Sequence, residues 1–336
     1  MGGSRREAAL AALTFVALAL LPLAAPAYYL QFGAKVLLVG LAAMALNLVV
    51  GFGGLVSLCH AAFYGLAGYT LALVSPRYEA ASLFWTLPLA VGASAVAALL
   101  IGALSLRTRG VYFIMVTLAF GQMLFYLFAD TDIAGGSDGF YIYTRPELAL
   151  GGLTLVDLDK PTGFYLTALA TVALATLLLL RLTRSPFGQA LAAAHENERR
   201  ARALGFPVYR IRLAAFTVSG ALAGLAGYFA SVQFGYVAPQ MLGWHFSATI
   251  LVMVVLGGLG SVTGPLVGAS AFLGLEEVLK AALPDHWALA LGTVILLVVL
   301  LLPGGVRQLA DAALGPLSRE RPPGKPLAAA EGATGA

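Results

Sequence analysis

Apolar segments long enough to cross a lipid bilayer recur along almost the whole chain. They lie near residues 8–26, 30–50, 55–74, 83–104, 110–128, 163–183, 211–234, 246–257, 262–280 and 286–303. A spanning helix needs about 20 consecutive apolar residues, and only 246–257 falls well short of that length. The pattern predicts an all-α polytopic integral membrane protein with about ten transmembrane or half-spanning helices. The short segment is expected to be a half-helix or a re-entrant piece.

The composition excludes a soluble globular domain. Hydrophobic residues make up 60% of the 336 residues, charged residues only 11%, and the mean hydropathy is +0.88. A soluble domain carries about a quarter of its residues charged. The Lys and Arg residues lie in short loops between apolar segments, which is typical of topology signals rather than of nucleic-acid binding. Cys59 is the single cysteine, so neither an internal disulfide nor a cysteine-rich metal site can form.

The charge distribution predicts that both termini are cytoplasmic. With the N-terminus inside, 15 of the 20 basic residues face the cytoplasm, and five (Lys35, Arg77, Arg145, Lys160, Lys280) face outward. The outer loop 129–162 carries six acidic residues against two basic ones. This bias follows the positive-inside rule. The apolar segment within 1–27 is long for a secretory signal, so we expect it to be a retained N-terminal transmembrane helix.

Two glycine-rich interruptions occur at corresponding places in the two halves of the chain. Broken helices in such positions indicate a transport pathway, although glycine also allows helices to pack closely. The candidate pathway residues are Asn47, Gly51, Gly53, Gly54, Ser57, His60, Gly257, Gly258, Gly260 and Ser261.

Residues with catalytic potential are few. The chain has no GxxxxGK[ST] motif for nucleotide and no HExxH or clustered metal-ligand pattern, so no catalytic residue and no metal site is expected. Ser57 and His60 share a helical face, but no nucleophile motif surrounds the serine. An ionisable residue among apolar ones, His60 is either functional or a neutral imidazole bonded between helices.

Other polar residues have simpler expected roles. Asn47, Gln122 and Gln233 are each expected to bond between helices. Glu276 and Glu277 are expected near the outer end of their helix, where they can pair with Lys280.

The cytoplasmic loop 184–210 is the longest inner segment. Pro186 and Pro207 bracket a stretch rich in Ala, Glu and Arg, a composition that favours a helix but is too polar to cross the membrane. A short cytoplasmic helix of this kind either docks on a soluble partner or lies on anionic lipid. The Gly-, Pro- and Ala-rich tail 315–336 is expected to be disordered in the cytoplasm.

Five segments together resemble a known transporter family. They are residues 47–69, 109–123, 185–205 and 253–269, and the Gly-Gly-Ser-Asp-Gly sequence at 135–139. Their order and content resemble the LivM-type permease subunit of branched-chain amino-acid ABC importers. The resemblance extends over residues 37–303.

The resemblance implies a division of labour. The chain would form the translocation path together with a homologous second permease subunit in the bacterial inner membrane. Two cytoplasmic P-loop ATPases would use the ATP, so this chain would be no enzyme and would bind no cofactor, and a periplasmic binding protein would deliver branched-chain or other hydrophobic amino acids. Alternating access would follow from ATP binding and hydrolysis.

The resemblance also assigns regions and residues. The permease domain would cover 28–314, with 129–162 as its periplasmic loop and 184–210 as the cytoplasmic loop with the coupling helix. The residues implied for ATPase coupling are Glu196, Asn197, Glu198, Ala201 and Gly205. Ser137 and Asp138 are candidates for docking the binding protein, although a loop of this size also serves as a simple periplasmic cap.

Some positions depart from the family pattern and leave alternatives open. The spacing from Glu198 to Gly205 is one residue longer than in the EAAxxxG pattern of such importers. Cys59 and Leu55 stand where glycine and a polar residue are common. Urea, short amides or small carboxylates are alternative substrates within the family. An ion-coupled secondary transporter is the alternative from another class, but the acidic residues map to loops or helix ends.

Overall fold

The computed structural model describes residues 18, 22, 26–76, 81–131, 135–150, 153–156 and 158–301. Its helices are α1 Ala27–Asn47, α2 His60–Val74, α3 Leu83–Ser105, α4 Val111–Ala129, α5 Pro161–Arg184, α6 Pro186–Glu196, α7 Glu198–Ala203, α8 Val208–Phe234, α9 Trp244–Gly257, α10 Gly264–Ala282 and α11 Trp287–Leu301. Every predicted apolar segment from 30–50 onward overlaps one of these helices. The predicted first helix in 1–27 and the predicted disordered tail 315–336 lie outside the described residues, apart from Leu18, Pro22, Pro26 and Ala27.

Five of the described helices are long and apolar enough to cross a membrane: α1 with its extension to Phe52, α3, α4, α5 and α8. Helix α9 has 14 residues, which at 1.5 Å per residue is shorter than the bilayer core of about 30 Å. This length agrees with the half-helix or re-entrant piece predicted at 246–257. The total number of crossings and the cytoplasmic position of both termini stay predictions, as does the division into 1–27, 28–314 and 315–336.

Helices α1 and α8 form the centre of the protein, and α3 and α4 lie at its periphery. The apolar window of α1 is 83% buried, against 28% for α3 and 22% for α4. The outer faces of α3 and α4 carry exposed apolar side chains such as Trp85, Leu100 and Met115. Such faces are suited to lipid, because hydrocarbon solvates apolar side chains.

Small residues let α8 approach its neighbours closely. A Cβ atom at Gly227 would lie 2.7 Å from the Cα atom of Tyr64 in α2, and one at Gly224 would lie 2.5 Å from the Cβ atom of Ser94 in α3. Ser94 Oγ in turn donates to the Phe63 carbonyl at 3.0 Å, which joins α3 to α2. Membrane helices gain little from hydrophobic association, so close packing and interhelical hydrogen bonds hold them together.

The outer loop contains short strands that an all-α prediction did not include. Strand β1 (Phe140–Tyr141) pairs antiparallel with β4 (Tyr236–Val237), which directly follows α8, and β2 (Leu148–Leu150) pairs with β3 (Leu153–Val156). Open sheet edges are tolerated outside the hydrocarbon region because water satisfies their hydrogen bonds. The β1–β4 pair fixes the outer loop to the outer end of α8.

Replacing Gly227 by valine should destabilise the protein by about 1–3 kcal/mol, since the added atoms overlap backbone that cannot swing away. The expected result is a lower midpoint of thermal unfolding in detergent. Gly92→Ala in α3 is the matched control, because a Cβ atom there meets nothing within 4 Å. A Gly227→Val protein as stable as the Gly92→Ala control would contradict the packing described for α2 and α8.

Candidate translocation and coupling site

The first glycine-rich interruption ends helix α1. After Asn47 the helix widens into a π-helical turn, Leu48–Phe52, and the chain then runs without helix until His60. Such turns are frequent at functional sites because they loosen the regular backbone ladder. The predicted segment 55–74 therefore begins with non-helical chain, and its helix starts five residues later than the apolar pattern indicated.

The second interruption separates α9 from α10. Gly258 and Gly260 have backbone φ angles of +96° and +79°, which side-chain-bearing residues rarely adopt. The Ser261 hydroxyl accepts from the Gly264 backbone N–H at 2.8 Å and so satisfies a free donor at the start of α10.

The two interruptions lie against each other, although they are more than 200 residues apart in the sequence. The Asn47 side-chain Nδ2 donates to the Ser261 carbonyl at 2.8 Å, in a fully buried setting. A Cβ atom at Gly51 would lie 2.8 Å from the Gly260 backbone nitrogen. The structure thus brings the two sequence motifs into one joint, which we call the paired break: residues 47–54 and 257–264.

The paired break also contacts the cytoplasmic loop. Gly54 has a φ angle of +66°, and a Cβ atom there would lie 2.6 Å from His195 Nε2. A Cβ atom at Gly53 would lie 3.5 Å from Leu191 Cδ1. Leu191 and His195 belong to α6, so this helix packs directly on the chain that ends α1.

His60 lies in an enclosed hydrogen-bonded network rather than on an open path. Its Nε2 is 2.7 Å from Ser219 Oγ of α8, and its Nδ1 is 3.2 Å from Ser57 Oγ. Ser219 donates to the Ala45 carbonyl of α1, so its oxygen accepts from Nε2–H and Ser57 donates to Nδ1. Both His60 and Ser57 are fully buried. Through its hydrogen bond to Ser219, His60 connects α2 to α8, and Ser219 connects α8 to α1. This is the bonding between helices that was one of the two alternatives for His60.

The cytoplasmic loop forms two helices instead of the single one expected between Pro186 and Pro207. Asn197, at φ −153° and ψ 97°, separates α6 from α7, and its Oδ1 caps α7 by accepting from the Arg200 backbone N–H at 3.0 Å. Asparagine is a strong N-cap residue, and this capping outweighed the helix-favouring composition around it.

Helix α7 ends at Gly205 in a recurrent capping motif. The Phe206 N–H donates to the Ala201 carbonyl at 3.1 Å, and the Gly205 N–H donates to the Arg202 carbonyl at 2.9 Å. Gly205 has a φ angle of +86°. This is the Schellman arrangement, which needs a residue free to take the left-handed conformation. Gly205 therefore ends the helix and turns the chain toward α8.

Glu198 joins three parts of the cytoplasmic face. Its carboxylate accepts from Arg212 of α8 at 3.0 Å and from Arg109, just before α4, at 3.3 Å. It also pairs with Arg202 one turn along α7. Because Arg212 further donates to the Ala194 carbonyl at 3.1 Å, α6 and α7 are both tied to the start of α8.

The three arginines change the titration of Glu198. Burial raises its pKa, but the hydrogen bond from Arg212 and the charges of Arg212, Arg109 and Arg202 together bring the pKa below its usual value. A carboxyl whose pKa is lowered on folding adds stability above its unfolded pKa and loses it as pH falls through the folded pKa. The Glu198 network is therefore intact at neutral pH.

The outer side of α7 presents exposed side chains. Leu204 is 69% exposed and Phe206 is 41% exposed, and the neighbouring Arg199, Arg200 and Arg202 are exposed as well. Ala201 faces inward and packs with Ala194 and Val208. Exposed large apolar groups rimmed by charge mark interaction surfaces. We call Arg199–Phe206 the cytoplasmic patch.

Residues 28–302 match the family model described as the branched-chain amino acid transport system / permease component. The chain belongs to this family. It is therefore a multi-pass membrane protein of the transport permease type, as the resemblance predicted.

Individual relatives support the same assignment. The chain is 35% identical over 283 residues to the high-affinity branched-chain amino acid transport system permease protein LivM of Salmonella typhimurium. The aligned region covers 78% of this chain and 66% of that protein. LivM of Escherichia coli is 34% identical over an aligned region that covers the same fractions of the two chains. The autoinducer 2 import system permease protein LsrC of Klebsiella pneumoniae is 34% identical over 164 residues, 46% of this chain and 47% of the relative. No solved structure matches the chain.

Within this permease, the residues predicted for coupling divide into two groups. Glu196, Asn197 and Gly205 are exposed, whereas Ala201 is buried and Glu198 is partly buried in its arginine network. The residues predicted for docking, Ser137 and Asp138, are exposed on a short 3-10 turn of the outer loop. Their turn is held in place by Tyr236, whose hydroxyl donates to the Asp138 carbonyl.

Sequence reasoning missed four residues of this site. Leu191 and His195 contact the paired break, and Arg109 and Arg212 bind Glu198, yet the two arginines were interpreted only as topology signals. The pairing of Glu198 with Arg202, one helical turn away, follows a local pattern. The pairings with Arg109 and Arg212 join separate segments, so they could be found only from the fold.

Replacing Glu198 by glutamine should loosen α6 and α7, because Arg212 and Arg109 lose their shared charge partner. We expect faster backbone hydrogen exchange in residues 186–207 at neutral pH. Glu196→Gln is the matched control, since Glu196 is exposed and forms no ion pair with any described residue. In the unaltered protein the same loosening should appear only below the usual carboxyl range of about pH 4. Equal exchange in both variants would disprove the network.

Proposed function

We propose that this chain is the membrane-spanning permease subunit of an ATP-driven importer of branched-chain or other hydrophobic amino acids. Membership of the branched-chain amino acid permease family supports the transport role. The chain spans 66% of the length of the LivM relatives, which are named for branched-chain amino acid transport. The LsrC relatives, named for autoinducer 2 import, match less than half of the chain. This difference favours amino acids over autoinducer 2 as the substrate.

The observation that carries the proposal is the direct contact between α6 and the paired break. Helix α6 touches Gly53 and Gly54, and Gly51 touches Gly260 of the second interruption. A displacement of α6 by a cytoplasmic partner is therefore passed to both broken helices at once. Packed elements of this kind transmit small shifts into discrete rearrangements. Alternating access would arise as the paired break opens and closes.

The family and the exposed surfaces support the proposed partners. Two separate P-loop ATPases would supply the ATP chemistry, one of them bound to the cytoplasmic patch and the other to the second permease, and this chain would bind no cofactor. A homologous second permease would complete the path. A periplasmic binding protein would dock near Ser137 and Asp138, where Tyr141 and Tyr143 are also exposed. The charge bias of the loops supports an orientation with both termini in the cytoplasm, and the family supports a bacterial inner-membrane location.

Replacing Gly54 by alanine should uncouple ATP hydrolysis from transport. The new methyl group meets the His195 ring and also forces a residue with a Cβ atom to a positive φ angle, at roughly 1–3 kcal/mol. We expect amino-acid uptake per ATP hydrolysed to fall in reconstituted vesicles. Combining Gly54→Ala with His195→Ala should restore part of the coupling, because the overlap with the ring is then gone.

Gly260→Ala is the matched control for this experiment. Its φ angle of +79° gives a comparable backbone cost, but no atom lies within 4 Å of a Cβ atom there. His195→Ala should therefore rescue Gly54→Ala and leave Gly260→Ala unchanged. Equal rescue of both variants, or of neither, would contradict a coupling contact between α6 and the paired break.

Replacing both Leu204 and Phe206 by serine should abolish ATPase binding by the intact membrane complex, since docking depends on burial of these exposed apolar groups. The measurement is recovery of P-loop ATPases with the tagged chain in a mild detergent. Leu283→Ser is the control: it removes a 47% exposed leucine at the opposite end of the protein, after α10. Recovery of no ATPase with the unaltered chain would contradict the importer proposal itself.

A further inference from the structure

A cavity of about 300 Å³ lies at the end of the protein opposite the cytoplasmic patch. It is bounded by the start of α1, the start of α5, the end of α8 and the end of α10. The volume is at the lower bound for small-molecule sites in proteins. The outer loop precedes α5, and β4 follows α8, so the cavity lies on the side that the charge bias assigns to the outside.

The cavity is lined by two cationic and two anionic side chains. Arg145 and Asp159 lie 3.9 Å apart as an ion pair, whereas Lys35 and Glu277 are not paired with each other. Lys35, nine residues into the membrane-spanning α1, forms no hydrogen bond or ion pair with any described residue. Glu277 of α10 accepts from the Tyr28 hydroxyl, and no Lys or Arg in the described part of the chain is within ion-pair distance of it. Charged groups on membrane helices are costly, and they mark substrate pathways.

The neighbouring Arg145 already forms hydrogen bonds within the protein. It donates to the Leu158 carbonyl at 2.7 Å and to the Gln233 carbonyl at 3.4 Å. Gln233 uses its Nε2 on the Gln31 carbonyl at 2.7 Å, and its Oε1 is buried without a partner among the described residues. Arg145 thus positions the cavity wall, and Lys35, Glu277 and Gln233 Oε1 remain for a ligand.

These groups match one class of molecule. An α-amino acid carries a carboxylate and an ammonium group on a single carbon, so it can satisfy Lys35 and Glu277 together. Hydrogen bonds between charged groups are stronger than neutral ones. A ligand lacking either charge would leave Lys35, which is half-buried, or Glu277, which is exposed, without an ionic partner. Phe32, Phe164 and Phe234 also line the cavity and offer apolar surface for the rest of the ligand. Urea or a simple carboxylate cannot satisfy the same set.

We propose that this cavity is an outward-facing binding site for the zwitterionic head group of an apolar α-amino acid. Lys35 binds its carboxylate, and Glu277 with Gln233 Oε1 binds its ammonium group. The inference rests on the proposed import function and names the site where substrate is received. Arg145 and Tyr28 are positioning residues, acting through Gln233 and Glu277.

The position of the site also connects it to the paired break. Lys35 and Asn47 both lie on α1, about 18 Å apart along the helix at 1.5 Å per residue. Glu277 lies on α10, the helix that begins beside Ser261 and Gly264. A ligand held between Lys35 and Glu277 therefore bridges the outer ends of the two helices whose inner ends meet at the break.

The test is direct binding to the full-length chain in lipid nanodiscs, with the subunits that co-purify with it and without a periplasmic binding protein. The probes are L-leucine, 4-methylpentanoate, which lacks the amino group, and 3-methylbutylamine, which lacks the carboxylate. We expect leucine to bind roughly tenfold or more tightly than either analogue, as expected for loss of one charged hydrogen bond. Equal binding of leucine and 4-methylpentanoate would overturn the proposal.

Two variants test the two charged residues of the site separately. Lys35→Gln should weaken the binding of leucine roughly tenfold and leave the binding of 3-methylbutylamine unchanged. Glu277→Gln should weaken the binding of leucine and leave the binding of 4-methylpentanoate unchanged. Lys280→Gln is the control for folding, because Lys280 pairs with Glu276 outside the cavity. Leucine binding that is absent at millimolar concentrations, or unaffected by both Lys35→Gln and Glu277→Gln, would overturn the site.

A parallel transport assay distinguishes failure of the site from failure of the proposed function. If the reconstituted complex imports leucine with ATP while both variants behave like Lys280→Gln, the site is wrong and the importer stands. If the complex imports no amino acid at all, the proposed function fails, and the binding site fails with it.

Discussion

The hydrogen bond from Asn47 to the Ser261 carbonyl joins the two helix interruptions around which the rest of the structure is arranged. A break in a membrane helix exposes backbone N–H and C=O groups, and hydrocarbon offers them no partner. Here Asn47 of the first break donates to a carbonyl of the second, and the Ser261 hydroxyl caps the helix that follows its own break. These backbone groups therefore find their partners within the protein.

The surroundings of this joint support the role proposed for it. Helix α6 touches it from the cytoplasmic side, and Glu198 ties the loop that carries α6 to α4 and α8 through Arg109 and Arg212. The joint is therefore reached by one rigid unit rather than by a flexible linker. On the other side, the enclosed His60 network fixes α1, α2 and α8 relative to one another. Under the proposed mechanism, these contacts would hold the surrounding helices while the breaks move.

Several predictions made from the sequence were incomplete for the same physical reason. The cytoplasmic stretch had the composition of one helix, but Asn197 caps a second helix, and a cap acts through geometry that composition does not report. Glu276 does pair with Lys280, one turn away, as local spacing indicated, whereas Glu277 bonds to Tyr28 from the other end of the sequence. One of the two small sheets of the outer loop formed because β1 met β4 across nearly 100 residues. Contacts within one helical turn were predictable, and contacts between distant segments were not.

The sequence by itself determined the class of the protein, the position of nearly every apolar helix, the two glycine interruptions and the family. Those features are carried by long apolar runs and local motifs, whose physical cause is the solvent on either side of a single segment. Only the tertiary structure decided that the two interruptions meet, that α6 presses on them, and that Lys35 and Glu277 share one cavity. Those relations depend on which helix faces open toward one another, and side-chain packing sets that choice after the helices have formed.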